Sequence, residues 1–128
     1  LRGLHYQKPP FAQAKLVRCI EGKILDIAVD IRKDSPTYGL YHSDILSGEN
    51  KKQLFIPRGF AHGFVVLSDS AIFAYKVDNT YAPDYEAGIL WNDKKLGVEW
   101  GAKESEIFIS NKDEQLPLFS QFKSPFKF

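Results

Sequence analysis

Short segments in which apolar and polar residues alternate dominate this sequence and limit the folds open to it. The clearest of them lies between residues 15 and 32, where Leu25, Ile27, Val29 and Ile31 alternate with Asp26, Ala28, Asp30 and Arg32. A period of two predicts a strand with one buried face and one polar face. Similar segments cover residues 40–46, 53–56, 63–67 and 71–77, separated by turns rich in Gly, Pro, Ser, Asn and Asp. We therefore expect an all-β fold, an antiparallel barrel or double-sheet jelly roll with a site in its mouth and a few short helices near the C-terminus.

Length and charge narrow the classes of protein. A chain of 128 residues fits one domain, residues 1–128, and its net charge of +1 gives no field that attracts nucleic acid or a membrane. Cys19 is the only cysteine and lies in an apolar run, which predicts a buried thiol in a reducing compartment, the cytoplasm. The apolar runs are too short for a membrane span or a signal peptide. Since Leu1 is not a methionine and motif residues follow at once, we expect a fragment of a longer chain.

The sequence gives no sign of a metal or a cofactor. Its histidines are His5, His42 and His62, with no His-x-His pair and no glutamate at ligand spacing after one. It contains neither a glycine-rich dinucleotide loop nor a Walker motif. We expect no metal site and no cofactor.

Three residues suit proton abstraction beside a carbonyl. A neutral His5 can take a proton while Lys15 or Arg2 stabilises the negative charge of an enolate or a phosphate. Lys15 begins a strand whose alternate positions are Val17 and Cys19, so an inward face would carry its ammonium into an apolar cavity. The alternatives are a structural histidine between apolar neighbours and a lysine that reaches water at a strand end.

Further candidates are less specific. His62 lies between Gly59 and Gly63, where the backbone can approach a ligand or simply bend. Tyr75 suits a phenolic acid, which in a dry site can donate without being ionised, or a packing residue. Asp113 can orient a histidine or serve as a loop aspartate. Arg2 and Arg18 suit a diphosphate or surface ion pairs.

Taken in order, these motifs resemble the dTDP-4-dehydrorhamnose 3,5-epimerase family of cupin-like enzymes. The resemblance runs through residues 2–7, 13–18, 30–32, 35–39, 53–64, 75–76, 81–86, 91–93 and 110–113. It covers nearly the whole chain, and several linked motifs in order are more specific than any one of them. A sizeable N-terminal segment of the family, which reaches toward the partner and helps to bind the nucleotide, is missing from the sequence.

The resemblance implies a metal-free cupin-like jelly-roll homodimer that epimerises C3 and C5 of a dTDP-linked 4-keto-6-deoxy sugar on the way to dTDP-L-rhamnose. It implies His5 as general base, Asp113 as its partner, Lys15 as enolate stabiliser and Tyr75 as acid on the opposite face. His62 would line the sugar pocket, and Arg2 would contact the diphosphate. The weaker candidates for nucleotide or pocket contacts are Gln7, Asn50 and Tyr81.

Other functions stay open on the sequence. An epimerase of C3 alone, of C5 alone or of another nucleotide sugar would have the same motifs. A non-catalytic sugar-binding cupin and a metal-dependent cupin oxygenase or isomerase are of different classes. The complete set of base, partner, cation and acid argues against the non-catalytic cupin.

Overall fold

Ten strands form where apolar, strand-favouring residues lie between turn residues. The computed structural model describes residues 1–128. Its strands are β1 (Arg2–Gln7), β2 (Lys15–Glu21), β3 (Lys23–Asp30), β4 (Arg32–Lys33), β5 (Tyr41–Ser47), β6 (Gln53–Ile56), β7 (Phe60–Val66), β8 (Ile72–Val77), β9 (Glu86–Gly88) and β10 (Phe126–Lys127). The helices are 3₁₀ turns at Pro83–Tyr85 and Glu104–Glu106 and one α-helix, α1 (Asn111–Glu114). The prediction of an all-β fold with short helices late in the chain is confirmed.

The strands form two main antiparallel sheets. The larger has five strands in the order β5-β3-β7-β1-β9, and the smaller has three in the order β6-β2-β8. The short strands β4 and β10 pair in parallel, an exception to the expected antiparallel pattern. β2 turns Val17 and Cys19 inward and Leu16, Arg18 and Ile20 outward, as its alternation predicts.

One hydrophobic core lies between the two sheets. It is formed by Val17, Cys19, Ile24, Ala28, Leu46 and Ile56. These residues come from β2 and β6 of the small sheet and from β3 and β5 of the large one. The large and small sheets therefore pack face to face, and Cys19 is a buried free thiol, as expected.

A second core covers the other face of the large sheet. There Ile27, Val29 and Ile31 pack with the C-terminal residues Trp91, Trp100 and Phe119, among others. Trp100 is held by a hydrogen bond of 2.9 Å from its ring nitrogen to the carbonyl of Trp91. The C-terminal quarter of the chain is thus a covering layer.

This layer makes one prediction wrong, because β3 has no solvent-facing side. Asp26 and Asp30, expected on a polar face, have exposed fractions of 0% and 1%. The small sheet covers one face of β3, and the C-terminal layer covers the other. Alternate residues of β3 therefore point into two different buried cores, and neither set faces solvent.

Asp30 is buried without being left unpaired. Its carboxylate accepts hydrogen bonds from the Arg32 guanidinium and from the hydroxyls of Ser35 and Thr37. Burial raises the pKa of Asp30, but these hydrogen bonds outweigh burial and hold the pKa well below its usual range. The network closes the turn that follows β3.

None of the short helices has the length or the apolar character to cross a membrane.

Candidate active site

A cavity of about 420 Å³ is lined by residues from both main sheets. Its polar lining residues are Arg2, His5, Tyr6, Gln7, Gln13, Lys15, His62, Tyr75, Tyr81 and Glu86. Gly63, Phe64, Phe73 and Val77 complete the wall. β1, β7 and β9 of the large sheet form one side, and β2 and β8 of the small sheet form the other.

His5 and Asp113 form a hydrogen-bonded pair. His5 Nε2 lies 2.6 Å from Asp113 Oδ1, and the backbone N–H of Gly3 donates to Asp113 Oδ2 at 3.2 Å. Asp113 is buried on α1, and the backbone N–H of Asp113 donates to the side chain of its N-cap, Ser110. The hydrogen on Nε2 donates to the carboxylate, so the lone pair of a neutral His5 is on Nδ1. Nδ1 lies 4.0 Å from Glu86, another residue of the cavity wall.

His62 and Asp26 form a second pair of the same kind. His62 Nε2 lies 2.8 Å from Asp26 Oδ2, and both side chains are buried. The two histidines are neighbours, because His5 on β1 is the register partner of His62 on β7. Burial lowers the pKa of His62, against the effect of the Asp26 carboxylate, so this imidazole is neutral near pH 7.

Lys15 enters the cavity from the small sheet, opposite the histidines. It is half-buried and begins β2, as the alternation with Val17 and Cys19 predicts. Burial lowers the pKa of Lys15, and the negative charges of Asp26 and Glu86 act in the opposite direction. The cavity therefore holds an amino group on the wall facing the two histidines, with two carboxylates that favour its charged form.

Tyr75 lies at the mouth of the cavity. It is 61% exposed, so the dry surroundings expected for a phenolic acid are not present in the chain alone. Its ring lies 5.7 Å from the ring of Phe73, which stacks on Phe64 at 4.4 Å. These aromatic rings form an apolar wall beside a phenol that water can reach.

A charged and aromatic group of residues forms the rim. Tyr81 donates a hydrogen bond of 3.3 Å to Glu86, and Lys112 pairs with the same carboxylate at 3.2 Å. Tyr81 and Arg2 are both exposed and line the cavity, in the region where the sequence predicts nucleotide contacts.

Three of the predicted binding residues are placed differently. Gln7 lines the cavity, but its amide already bonds the backbone of Phe11, Thr80 and Ala82 and so holds two loops together. Asn50 and Arg18 lie outside the cavity. The Asn50 side chain closes the turn after β5 through Ser47, Ile45 and Lys52. Arg18 is on the outward face of β2, since its parity is opposite to that of Lys15.

The structure adds residues that the sequence did not single out for the site. They are Gln13, Phe64, Phe73, Glu86 and Asp26. Gln13 precedes Lys15 by two residues, a spacing that could have indicated the same face. Asp26 was missed because the alternation of residues in β3 predicted that its side chain faces solvent. For Phe64, Phe73 and Glu86 only the tertiary pairing of strands reveals the location.

This arrangement suits base chemistry on a small polar molecule. A positioned imidazole can take a proton, and a nearby ammonium can stabilise the negative charge that results. No three His, Cys, Asp or Glu side chains are grouped to hold a metal ion. The predicted base, partner, cation and acid, His5, Asp113, Lys15 and Tyr75, are brought together around one cavity, and their roles stay predictions.

Comparison with a family model identifies the family to which the chain belongs. Residues 1–121 match the model described as dTDP-4-dehydrorhamnose 3,5-epimerase. The chain belongs to the dTDP-4-dehydrorhamnose 3,5-epimerase family. This confirms the resemblance found in the motifs.

Individual members of the epimerase family are similar over most of the chain. The epimerase of Shigella flexneri is 57% identical over 113 residues, which are 88% of this chain and 61% of that protein. That of Salmonella typhimurium is 54% identical over 94% of this chain and 66% of its own length. The chain thus spans less than two thirds of the length of these two relatives.

A solved member of the family shows the same fold. The dTDP-6-deoxy-D-glucose-3,5-epimerase of Legionella pneumophila, in complex with dTDP-4-keto-L-rhamnose, superposes with a TM-score of 0.94 at 44% identity. The match covers 99% of this chain and 68% of the Legionella chain. The predicted cupin-like jelly roll is confirmed.

Proposed function

We propose that this protein epimerises C3 and C5 of a dTDP-linked 4-keto-6-deoxy sugar, converting dTDP-4-dehydro-6-deoxy-D-glucose to dTDP-4-dehydro-L-rhamnose. The observation that carries this proposal is that His5, paired with Asp113 at 2.6 Å, lines the same cavity as Lys15 and Tyr75. Family membership and the dTDP-sugar bound to the Legionella relative support the substrate class.

His5 is the base in this reaction. The hydrogens on C3 and C5 are both alpha to the C4 carbonyl, so either can leave as a proton while its electrons move to the C4 oxygen. Nδ1 of His5 accepts the proton, and Asp113 stabilises the imidazolium and holds the ring in place. One base can serve both carbons if the sugar presents each in turn.

Lys15 stabilises the enolate. The electrons released at C3 or C5 leave a negative charge on the C4 oxygen, and an ammonium stabilises that charge best when it is already in position. Lys15 lines the same cavity from the opposite sheet and is half-buried, which strengthens its interaction with an anion.

Tyr75 returns a proton from the other side. His5 is on β1 of the large sheet and Tyr75 is on β8 of the small one, so the two reach the cavity from facing walls. Inversion requires removal of a proton from one face of the sugar carbon and delivery to the other. A bound sugar would cover the exposed phenol and exclude water from it.

The remaining contacts fit the rest of a nucleotide sugar. Arg2 presents an unpaired guanidinium for a diphosphate, and Tyr81 presents an exposed ring for a base. His62 lines the sugar end, and neither a metal nor a cofactor takes part. Cys19 is a buried free thiol, which fits a reducing compartment, and we place the protein in the cytoplasm.

A second copy of the chain is the proposed partner. The outward face of the small sheet exposes large apolar side chains: Leu16, Ile20, Phe55 and Ile72. An exposed apolar sheet face of this kind favours an interface between subunits. A homodimer covers this face on both subunits at once.

Proton exchange tests the reaction directly. dTDP-4-keto-6-deoxyglucose is incubated with the protein in deuterated water, and proton NMR follows the hydrogens on C3 and C5. Deuterium at both positions, with an L-sugar product trapped by a downstream reductase, is the expected result. Label at one position only indicates a mono-epimerase.

Absence of exchange would contradict the proposal, and the same assay then separates the remaining explanations. Exchange in a longer chain that has the family's N-terminal segment would assign the failure to the length of the chain. No exchange in that chain, together with tight dTDP-sugar binding, would indicate a sugar-binding cupin.

A further inference from the structure

Asp26 is a buried carboxylate that the reaction as described does not use. It is fully buried on β3, and its Oδ2 accepts the hydrogen bond from His62 at 2.8 Å. Its other oxygen, Oδ1, is buried and has no hydrogen-bond partner. A buried carboxylate oxygen without a partner is unfavourable, so something nearby must compensate its charge.

Lys15 is the cation that can do so through its charge and not through a direct ion pair, since the ion pair of Asp26 is with His62. The inward face of β2 opposes β3 across the core between the sheets, where Val17 and Cys19 meet Ile24 and Ala28. Lys15 is on the same inward face of β2 as Val17 and Cys19. Asp26 is on the face of β3 that carries Ile24 and Ala28, which faces β2. Of the anionic groups near Lys15, Asp26 raises its pKa most.

The other groups around Lys15 have smaller or opposite effects. The charged and titratable side chains that share the cavity with it are Glu86 of β9, His62 of β7, Arg2, His5 and Tyr6 of β1, Tyr75 of β8, and Tyr81. Glu86 is already paired with Lys112 and Tyr81, and His62 is neutral near pH 7. Both contacts of Glu86 use its Oε2, and its Oε1 lies 4.0 Å from His5. Asp26 is therefore the anion whose free oxygen is fully buried.

We propose that Asp26 is a positioning residue of the epimerase: it keeps Lys15 a cation in its half-buried site and holds His62 with its hydrogen on Nε2. This role deepens the proposed function and rests on it. With Nε2 donating to Asp26, Nδ1 of His62 is a hydrogen-bond acceptor. Lys15 stays protonated, so its ammonium can donate a hydrogen bond to the C4 oxygen of the sugar. The two imidazole–carboxylate pairs then have different tasks, since His5 moves protons and His62–Asp26 maintains the charge of the lysine.

The decisive measurement is the titration of Lys15 itself, which needs no turnover. Protein labelled with ¹³C-lysine is titrated by NMR, and the Lys15 signal is assigned through Lys15→Arg. In Asp26→Asn, removal of the negative charge lowers the Lys15 midpoint, and we expect a shift of about one pH unit or more. An unchanged midpoint in a folded Asp26→Asn protein overturns the proposal.

Asp30→Asn is the matched control. Asp30 is a second buried carboxylate on the same strand with the same parity, but it is bound to Arg32, Ser35 and Thr37 and lies outside the cavity. This variant reproduces the loss of a buried carboxylate and should leave the Lys15 midpoint unchanged. An equal shift in both variants would assign the effect to general loosening of the fold and contradict a specific role.

Activity and tautomer provide two further readouts. If Lys15 acts as a cation, turnover is lost as pH rises through its pKa, so Asp26→Asn moves the alkaline limb of kcat to lower pH, and Asp26→Glu restores it. ¹⁵N NMR of the wild-type protein should show His62 neutral with hydrogen on Nε2, and hydrogen on Nδ1 would contradict the proposal. Where Asn at this position prevents folding, Asp26→Ser removes the same charge with a smaller side chain.

The two proposals can fail separately. A shift of the Lys15 midpoint in Asp26→Asn, with no deuterium exchange either by this protein or by the longer chain, would support the link between Asp26 and Lys15 and reject the epimerase reaction. Deuterium exchange by the wild-type protein, with an unchanged Lys15 midpoint in Asp26→Asn, would support the epimerase reaction and reject the link between Asp26 and Lys15.

Discussion

At the scale of single residues, the proposed reaction depends on His5 and on the carboxylate of Asp113 that holds it. Asparagine at position 5 keeps much of the shape of the imidazole but cannot take a proton, so His5→Asn should lower kcat at least about a hundredfold. Asp113→Asn should also lower kcat, because the amide no longer stabilises the imidazolium. Rates of C3 and C5 exchange measure both effects.

Thermal unfolding and dTDP binding are the controls for these two variants. The His5→Asn protein should melt close to the wild type, since His5 is only partly buried and its strand remains paired with β7 and β9. Full exchange activity in His5→Asn would reject His5 as the base. Loss of dTDP binding would instead mean that the substitution damages the site more widely.

Residue types alone left structural alternatives open for His5, Lys15, Tyr75 and Asp113. The resemblance in the ordered motifs grouped them as one set, and the structure places them around one cavity. Residue types and motifs were not enough for Asp26, which looks like a solvent-facing strand residue in the sequence. Its burial depends on which sheet covers β3. Pairing with His62, 36 positions away, is likewise a tertiary contact that alternation cannot reveal.

At the scale of strands, the close approach of β1 and β7 sets the location of both histidines. Gly63 follows His62, and a Cβ at position 63 would lie 2.7 Å from the carbonyl oxygen of Arg2 and 3.2 Å from the Cα of Gly3. Gly63→Ala should therefore push β1 away from β7 and destabilise the fold by about 1–3 kcal/mol. Because β1 also carries His5, kcat should fall as well. Chemical unfolding and the exchange assay measure the two losses.

Gly97→Ala is a useful comparison, because the nearest atom to a Cβ there is 3.8 Å away, although the positive φ of 61° adds strain of its own. It should lower stability without reducing the turnover of the folded protein. Equal losses of turnover in the two variants would argue against strand separation as the cause.

The longer strands were largely predictable because each is a local pattern bounded by turn residues, as for β6, which covers residues 53–56 as expected. β7 begins at Phe60, three residues before the expected segment 63–67. The burial of both faces of β3 was not predictable, because the layer that covers one face contains Trp91, Trp100 and Phe119, which are far along the chain. The parallel pairing of β4 with β10 joins residues 32–33 to 126–127 and has no local signal either.

At the scale of the whole molecule, the apolar outer face of the small sheet carries the argument for two subunits. Phe55 is 62% exposed on the edge strand β6, beside its register partner Leu16 on β2, which is also exposed. Phe55→Lys adds a charge there without touching the cavity. Because a two-fold interface contains the residue twice, the variant should weaken dimerisation by roughly tenfold or more.

Light scattering over a range of concentrations distinguishes the possibilities for this face. The wild-type protein should scatter as a dimer and Phe55→Lys as a monomer at the same concentration, with the Lys15 titration unchanged. A wild-type monomer at every concentration would reject the dimer. A dimer that Phe55→Lys leaves intact would place the interface elsewhere, and the outer face would then be free for another segment of a longer chain. Because Lys15 and Tyr75 are on the same small sheet, with side chains toward the cavity, an interface on its outer face would also hold the strands that carry the cation and the acid.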